Sequence, residues 1–183
     1  MSNIWLISDT HFNHNKPFIW EARGFTSVNE MNAAIIERWN TKVQSDDIVY
    51  HLGDFIMDDL DAGLKLISQL NGHIRLAIGN HDTDARLEKF KEIFDDVQFG
   101  YRLKNRRKTF LLTHYPQLTG NYDGQPVFSI HGHTHSFDPF CEHELMYNVN
   151  CESQNCTPIL WEDMLRQIYR HRDKLLAAKD KSN

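Results

Sequence analysis

The sequence contains little cysteine and no long apolar segment. Its three cysteines, Cys141, Cys151 and Cys156, are odd in number and lack CxxC spacing, so we expect reduced thiols rather than a disulfide framework or a zinc knuckle. No run of about 18 or more apolar residues is present, which predicts that no segment spans a membrane. The amino-terminal stretch also lacks the basic segment and long apolar run of a signal peptide. These absences predict a soluble, cytoplasmic protein.

Basic residues are not in excess, and linker-like segments are missing as well. The chain carries 20 Lys and Arg against 25 Asp and Glu, which argues against a surface that coats nucleic acid. Tracts rich in proline, glycine or serine, internal repeats and an apolar self-association stripe are all lacking, so no obligate protein partner is evident. At 183 residues, the chain is predicted to form one domain over residues 1–183.

Short apolar runs alternate with helical patterns along most of the chain. The runs are typical of strands covered on both faces, and they span residues 4–8, 47–52, 73–79, 109–114, 127–133 and 144–150. Helices are predicted over residues 27–39, 59–70, 84–94 and 161–178, the first with Ser27 and Glu30 as a capping box. This order, with a hairpin over 99–112, predicts an α/β fold, a layered α-β-β-α sandwich.

Histidine is abundant, with 11 residues in the chain, three of them in the stretch HGHTH at 131–135. Polar clusters follow five of the predicted strands, where the loops of an α/β sheet converge on one crevice. The candidate metal ligands among them are Asp9, His11, Asp54, Asn80, His114, His133 and His135. Oxygen and nitrogen donors without thiolate suit Mn, Fe or Zn, and this many exceed one tetrahedral site. The set predicts a di-metal site at the carboxyl ends of the strands, with one bridging carboxylate.

The spacing within HGHTH carries a further expectation. If this stretch is extended, His131, His133 and His135 point to the same side, because side chains alternate along a strand. Asp9 and His11 show the same spacing of two residues, so both are expected to reach one ion.

Five short motifs follow one another between Ile4 and His135. They are Asp9-Thr10-His11, Gly53-Asp54, Gly79-Asn80-His81-Asp82, His114 and Gly132-His133-Thr134-His135. In this order they resemble the calcineurin-like metallophosphoesterase family, in particular its small stand-alone bacterial and phage members. The resemblance implies one divalent ion held by Asp9, His11, Asp54 and His135, and another held by Asp54, Asn80, His114 and His133. Manganese is the expected metal, with iron, zinc or nickel as alternatives.

The resemblance also implies that a hydroxide bridging the two ions hydrolyses a phosphate ester. His81 directly follows the candidate ligand Asn80 and is predicted to be the general acid for the leaving group, with Asp82 either orienting it or keeping it protonated. The intact GNHD motif favours a phosphodiesterase. The expected substrate is a small phosphate ester, such as a nucleotide or an RNA end.

Three further residues are candidates for substrate binding. His14 and Arg23 lie in the long segment after the first motif, where they are predicted to contact the phosphate. Aromatic residues of that segment, such as Phe18, either stack on a base or cover the core. His131 precedes the last motif and is predicted to orient a metal ligand or to fill space rather than to bind the metal directly. It is also a candidate for substrate contact.

The sequence leaves other functions open. A broad phosphomonoesterase is one alternative. A non-catalytic family member that serves as a protein-interaction scaffold is another, although such members usually lose ligands that are intact here. A mononuclear zinc-binding or storage protein would not explain why Asn80 and a bridging carboxylate accompany the histidines. Metal stoichiometry and ester hydrolysis distinguish these functions.

Overall fold

The computed structural model describes residues 2–140 and 143–182. In that part of the chain, ten strands form two sheets, and five helices connect or flank them. The strands are β1 (Ile4–Ile7), β2 (Ile48–His51), β3 (His73–Ala77), β4 (Asp96–Gln98), β5 (Gly100–Asn105), β6 (Lys108–Thr113), β7 (Asn121–Tyr122), β8 (Gln125–His131), β9 (Met146–Asn148) and β10 (Ile159–Leu160). The helices are α1 (Pro17–Trp20), α2 (Val28–Lys42), α3 (Leu60–Ile67), α4 (Asp84–Ile93) and α5 (Trp161–Ser182).

The first sheet is mostly parallel and has the strand order β10-β1-β2-β3-β4. Strands β1 to β4 run in the same direction, and only β10 pairs antiparallel, with β1. Ile7 pairs with His51, which pairs with Leu76. Since these three strands end side by side, the polar motifs that follow them emerge at the same edge.

The second sheet extends from β5 through β6 to β8, and both β7 and β9 pair with β8. Strands β6 and β8 are parallel, with Leu112 opposite Ile130. His114 and the loop after His131 therefore leave this sheet next to each other.

Two apolar cores hold the layers together. One face of the first sheet packs against helices α1 to α4, and this core includes Ile7, Val49, Leu76, Ile35, Trp39 and Phe90. The other face packs against the second sheet and α5, and that core includes Leu6, Tyr50, Leu52, Phe110, Phe128, Ile130, Trp161, Met164 and Ile168. Helix α5 contributes residues three or four positions apart, as one face of an amphipathic helix does. The predicted layered α/β sandwich is confirmed.

Local signals in the sequence account for several element ends. The Oγ of Ser27 accepts the N–H of Glu30 at 3.2 Å and so caps α2, as predicted. The Glu30 carboxylate accepts from the preceding Thr26 instead of from Ser27, which completes only half of the capping box. The predicted hairpin forms between β5 and β6, and its two-residue turn is Arg106-Arg107, both at positive φ.

No helix in the described part of the chain is long and apolar enough to cross a membrane. Cys151 and Cys156 are free and buried. Cys141 lies outside the described residues.

Candidate metal centre

The predicted ligands come from five loops that meet where the strands of both sheets end. Asp9 follows β1, Asp54 follows β2, Asn80 follows β3, His114 follows β6 and His133 follows β8. Backbone hydrogen bonds join these loops. The N–H of Asp9 donates to the Gly53 carbonyl at 3.0 Å, and the N–H of Gly132 donates to the His114 carbonyl at 3.0 Å. The loops are thus fixed to one another before any ligand side chain is considered.

Much of the site is built on left-handed backbone. The φ angles of Asp9, His11, Asp54, His133 and His135 lie between 48° and 69°, a region that non-glycine residues rarely adopt. Such strained conformations persist where the surrounding structure holds them, and they concentrate at functional sites.

The expectation that HGHTH is extended is wrong. Strand β8 ends at His131, and the chain turns immediately, so His133 and His135 reach the site from a loop rather than by strand alternation. The loop packs closely against the end of β1 at Gly132. A Cβ on Gly132 would overlap the Ser8 hydroxyl and the Asp9 carboxylate, so only glycine fits there.

Four donor atoms form what we call the first ligand group: Asp9 Oδ1, His11 Nε2, His135 Nε2 and Asp54 Oδ2. Asp9 Oδ1 lies 3.8 Å from His11 Nε2 and 3.8 Å from His135 Nε2, and the two nitrogens are 3.2 Å apart. His11 Nε2 is also 3.8 Å from Asp54 Oδ2. Asp9 Oδ1 is buried and has no hydrogen-bond partner among the described residues. A bound cation would satisfy it.

Four donor atoms form the second ligand group: Asp54 Oδ2, Asn80 Oδ1, His114 Nε2 and His133 Nδ1. Asn80 Oδ1 lies 2.8 Å from the His114 nitrogen and 3.0 Å from the His133 nitrogen. Those two nitrogens are 3.2 Å apart, and Asp54 Oδ2 is 3.5 Å from His114 Nε2. Asp54 Oδ2 therefore lies within 4 Å of a nitrogen in each group.

The hydrogen-bond partners of two histidines fix which ring nitrogen faces the ligand groups. His114 Nδ1 lies 2.9 Å from the Leu52 carbonyl oxygen, which can only accept, so Nδ1 carries the proton and Nε2 keeps its lone pair. That lone pair faces the carbonyl oxygen of the Asn80 side chain at 2.8 Å. His135 Nδ1 likewise faces a Glu152 carboxylate oxygen at 3.0 Å. Lone pairs that converge in this way fit a metal cation.

Burial also shifts the pKa values of several of the candidate donor side chains. Burial lowers the pKa of His11 well below its ordinary value, and the nearby Arg23 charge lowers it further. Burial lowers the pKa of His133 as well, so both imidazoles are neutral donors at pH 7. Burial raises the pKa of Asp9 to about 6, against the opposing effect of His135 and His114. Two sets of three side chains are close enough to hold a metal ion. One set is Asp9, His11 and His135, and the other is Asp9, Asp54 and His114. Within each set, one donor atom of every side chain lies within 4.8 Å of the others.

His81 and Asp82 lie beside the ligand groups in different environments. The side chain of His81 is 45% exposed, and its Nε2 is 4.0 Å from Asp54 Oδ2. Asp82 is buried, and its carboxylate accepts the backbone N–H groups of Gly79 at 2.8 Å, Asp54 at 3.0 Å and Phe55 at 3.2 Å. These bonds occupy the carboxylate that was predicted to orient His81. Asp82 instead holds the loops that carry Asn80 and Asp54.

Arg23 does not face the substrate side, contrary to the prediction. Its guanidinium is buried and donates to the Asp9 carbonyl at 2.7 Å, the Thr10 carbonyl at 3.0 Å and Glu152 Oε1 at 2.8 Å. Through these hydrogen bonds, Arg23 fixes the segment after the first motif against the loop that carries Asp9.

The other two predicted substrate contacts, His14 and His131, lie in different environments. The ring of His14 lies 5.4 Å from that of His11, near the opening of the first ligand group. His131 is fully buried, and its Nδ1 contacts the Gly132 carbonyl oxygen at 2.9 Å, so it supports the loop and cannot touch a substrate.

One residue of the site, Glu152, was not singled out from sequence. Glu152 accepts from both Arg23 and His135, and it follows β9 by four residues, so the strand-end rule applied to β9 would have found it. Tyr115 places its ring 4.6 Å from the ring of His133 and 5.1 Å from that of His114. Its position directly after His114, with Pro116 next, predicts that Tyr115 shapes the turn that carries this histidine.

Comparisons with known proteins agree with the geometry of the centre. A sequence profile of the calcineurin-like phosphoesterase superfamily domain matches residues 2–150. An uncharacterized protein of Methanocaldococcus jannaschii is 41% identical over 141 residues, which cover 74% of this chain and 71% of that protein. The gene 66 protein of Mycobacterium phage L5 is 28% identical over 166 residues, covering 74% of this chain and 79% of that protein.

A solved structure extends the likeness beyond the matched residues. A protein of unknown function from Aquifex aeolicus superposes with a TM-score of 0.69 and 26% identity, covering 91% of this chain and 100% of that one. The profile match, which spans most of the chain, establishes the family. The chain belongs to the calcineurin-like phosphoesterase superfamily.

Proposed function

We propose that the protein is a phosphodiesterase that uses two divalent ions, one in each ligand group. The observation that carries this proposal is the position of Asp54 Oδ2, 3.8 Å from His11 Nε2 and 3.5 Å from His114 Nε2, since one carboxylate oxygen so placed can serve both groups. Two ions held there would supply Lewis-acid charge to the phosphoryl oxygens and lower the pKa of water. The oxygen and nitrogen donors favour manganese, with iron, zinc or nickel as alternatives.

His81 is proposed to donate a proton to the leaving oxygen. Its backbone is held on both sides, because its N–H donates to Asp54 Oδ1 at 2.8 Å and its carbonyl accepts from Arg86 at 2.6 Å. Its ring is half exposed beside Asp54 and makes no hydrogen bond to the residues that the structure describes. A side chain fixed at its base and open at its ring is suited to reach a substrate oxygen.

The charges around the centre favour a diester over a monoester. A monoester dianion carries one more negative charge than a diester and gains from an additional side-chain cation. Arg23 is turned inward, and Arg86 donates to the carbonyls of His81 and Asp58. Arg23 and Arg86 are therefore engaged with the protein, which suits the less charged diester.

The test is hydrolysis by the manganese-loaded protein of methyl phenyl phosphate and methyl 4-nitrophenyl phosphate, beside 4-nitrophenyl phosphate as the monoester. His81→Ala is expected to lower the rate by about 10²-fold or more for the phenyl diester, whose leaving group needs the proton. The loss is expected to be smaller for the nitrophenyl diester, whose leaving group is less basic. His73→Ala, at an exposed histidine paired with Asp95, is the matched control and is expected to leave both rates unchanged.

Three results would contradict the proposal. An equal loss for both diesters would show that His81 acts other than as an acid. Faster turnover of the monoester would identify a broad phosphomonoesterase. Absence of turnover with metal bound would favour the non-catalytic scaffold.

A further inference from the structure

A cavity of about 520 Å³ opens beside the first ligand group. One wall is formed by the imidazoles of His11, His81 and His135. The rest is mostly apolar and is formed by His14, Phe18, Ile19, Ala22, Met57, Phe137 and Glu152. Its volume lies within the range of small-molecule sites, which is about 300–1,000 Å³. The cavity is thus continuous with the proposed reaction centre and large enough for part of a substrate.

Two aromatic residues stand exposed in this cavity. Phe18 is 67% exposed and Phe137 is 64% exposed. Exposed aromatic side chains that converge on a concave surface next to a reactive centre indicate a binding surface rather than a core. The ring of Phe18 also meets that of His14 edge to face, with centroids 5.6 Å apart.

The segments that carry these aromatics are held in place. Helix α1 brings Phe18 to the cavity, and its buried neighbour Ile19 anchors it in the core. Arg23 ties the same segment to the carbonyls of Asp9 and Thr10. Phe137 lies in a turn closed by two hydrogen bonds between Ser136 and Asp138. The Ser136 hydroxyl donates to the Asp138 carbonyl at 3.1 Å and accepts from the Asp138 N–H at 3.1 Å. A preformed surface of this kind binds with little cost in ordering its own residues.

The scarcity of charged side chains in the lining indicates which type of substrate group the cavity can bind. Among the described residues that line the cavity, none is lysine or arginine. Glu152, the one carboxylate there, is engaged by Arg23 and His135. A second phosphate or another anionic group would therefore find no lysine or arginine side chain in the lining, whereas an uncharged aromatic ring would find edges and faces to pack against.

We propose that this cavity binds an uncharged aromatic group on the leaving side of a phosphodiester substrate. The leaving side follows from His81, which forms part of the wall and is the proposed proton donor to the leaving oxygen. The substituent beyond that oxygen must extend into the space His81 faces. This inference rests on the proposed function and adds the chemical class of the group that is released.

Binding of phenylphosphonate and methylphosphonate to the manganese-loaded protein, measured by calorimetry, tests the inference without requiring turnover. Both probes present the same anion to the metal centre, and only one carries an aromatic ring. The wild-type protein is expected to bind phenylphosphonate about tenfold more tightly. In the variant Phe18→Ala/Phe137→Ala, the preference is expected to fall to about twofold or less, with methylphosphonate affinity unchanged. Phe99→Ala, at an exposed phenylalanine outside the lining, should keep the wild-type preference.

The outcomes separate the inference from the proposed function. If methylphosphonate binds but the phenyl group adds nothing, or if the preference survives in the double variant, the cavity inference is wrong and the phosphoesterase centre stands. If neither probe binds, both fail. If the wild-type protein is a dimer that the double variant converts to a monomer, and the phenyl preference is absent, the two phenylalanines form an interface between copies and the inference is overturned.

Discussion

The substitution Glu152→Gln tests how Glu152 supports the candidate metal centre, because it removes the negative charge that lies between the buried Arg23 side chain and His135. Glu152 Oε1 accepts from Arg23 Nε at 2.8 Å and faces His135 Nδ1 at 3.0 Å, with the Arg23 and Glu152 side chains only 1% and 4% exposed. Burial by itself would raise the pKa of Glu152. The His135 hydrogen bond and the Arg23 charge outweigh it and lower the pKa from 4.5 to about 2.

This difference in pKa corresponds to about 3 kcal/mol of folding free energy at pH 7. A carboxylate whose pKa is lower in the folded than in the unfolded chain stabilises the fold fully at pH values above its pKa in the unfolded chain. That stabilisation is lost as the pH falls toward its pKa in the folded chain. Glutamine cannot ionise. We therefore expect the metal-free variant to be about 3 kcal/mol less stable than wild type at pH 7, and about half that amount less stable at pH 3.

Urea denaturation of both proteins across this pH range measures the difference. Glu162→Gln, at an exposed acid on α5, is the control and should show neither effect. The variant should also bind manganese more weakly, by about 10- to 100-fold, since Glu152 orients His135. A stability difference that is absent, or that stays constant from pH 7 to pH 3, would refute the reasoning.

Three further substitutions test other parts of the fold. Gly132→Ala is expected to abolish metal binding, because the new Cβ overlaps the Asp9 carboxylate, and titration calorimetry with Mn²⁺ would show it; unchanged affinity would contradict that packing. Asp82→Asn is expected to lower the free energy of unfolding by about 2 kcal/mol or more, since an amide oxygen replaces a carboxylate that accepts three backbone N–H groups; an unaffected urea midpoint would contradict this role. Replacing Arg106-Arg107 with Asn-Gly is expected to raise the melting temperature, because both residues occupy positive φ; a lower melting temperature would refute that assignment.

The sequence predicted that the candidate donor residues would lie together, because each lies within a few residues of a strand end. Asp9 and Asp54 follow parallel strands by two and three residues, so the strand-end rule places them at one edge without knowledge of side-chain packing. The long helices were predicted for a similar reason, since capping residues and apolar spacing are local signals.

The contacts that the sequence did not reveal depend on the fold of the whole chain. Arg23 and Glu152 are 129 residues apart, and only the meeting of the loops after β1 and β9 turns Arg23 inward. Asp82 was assigned to its sequence neighbour His81, whereas its partners Asp54 and Phe55 lie on another loop. The positive φ angles of His133 and His135 could not be foreseen either, because non-glycine residues adopt that conformation only when surrounding contacts hold it.

Several sequence-based expectations stay predictions. They are the cytoplasmic location, the organisation of residues 1–183 as one domain, the choice of manganese and the lack of an obligate protein partner.

The number of metal ions bound per chain tests the central claim most directly. Manganese titration of the metal-free protein, followed by calorimetry and by elemental analysis of the loaded protein, should give two ions per chain. His135→Ala, which removes a donor of the first ligand group only, should retain one. A wild-type stoichiometry of one would contradict the bridging position of Asp54 and favour a mononuclear site.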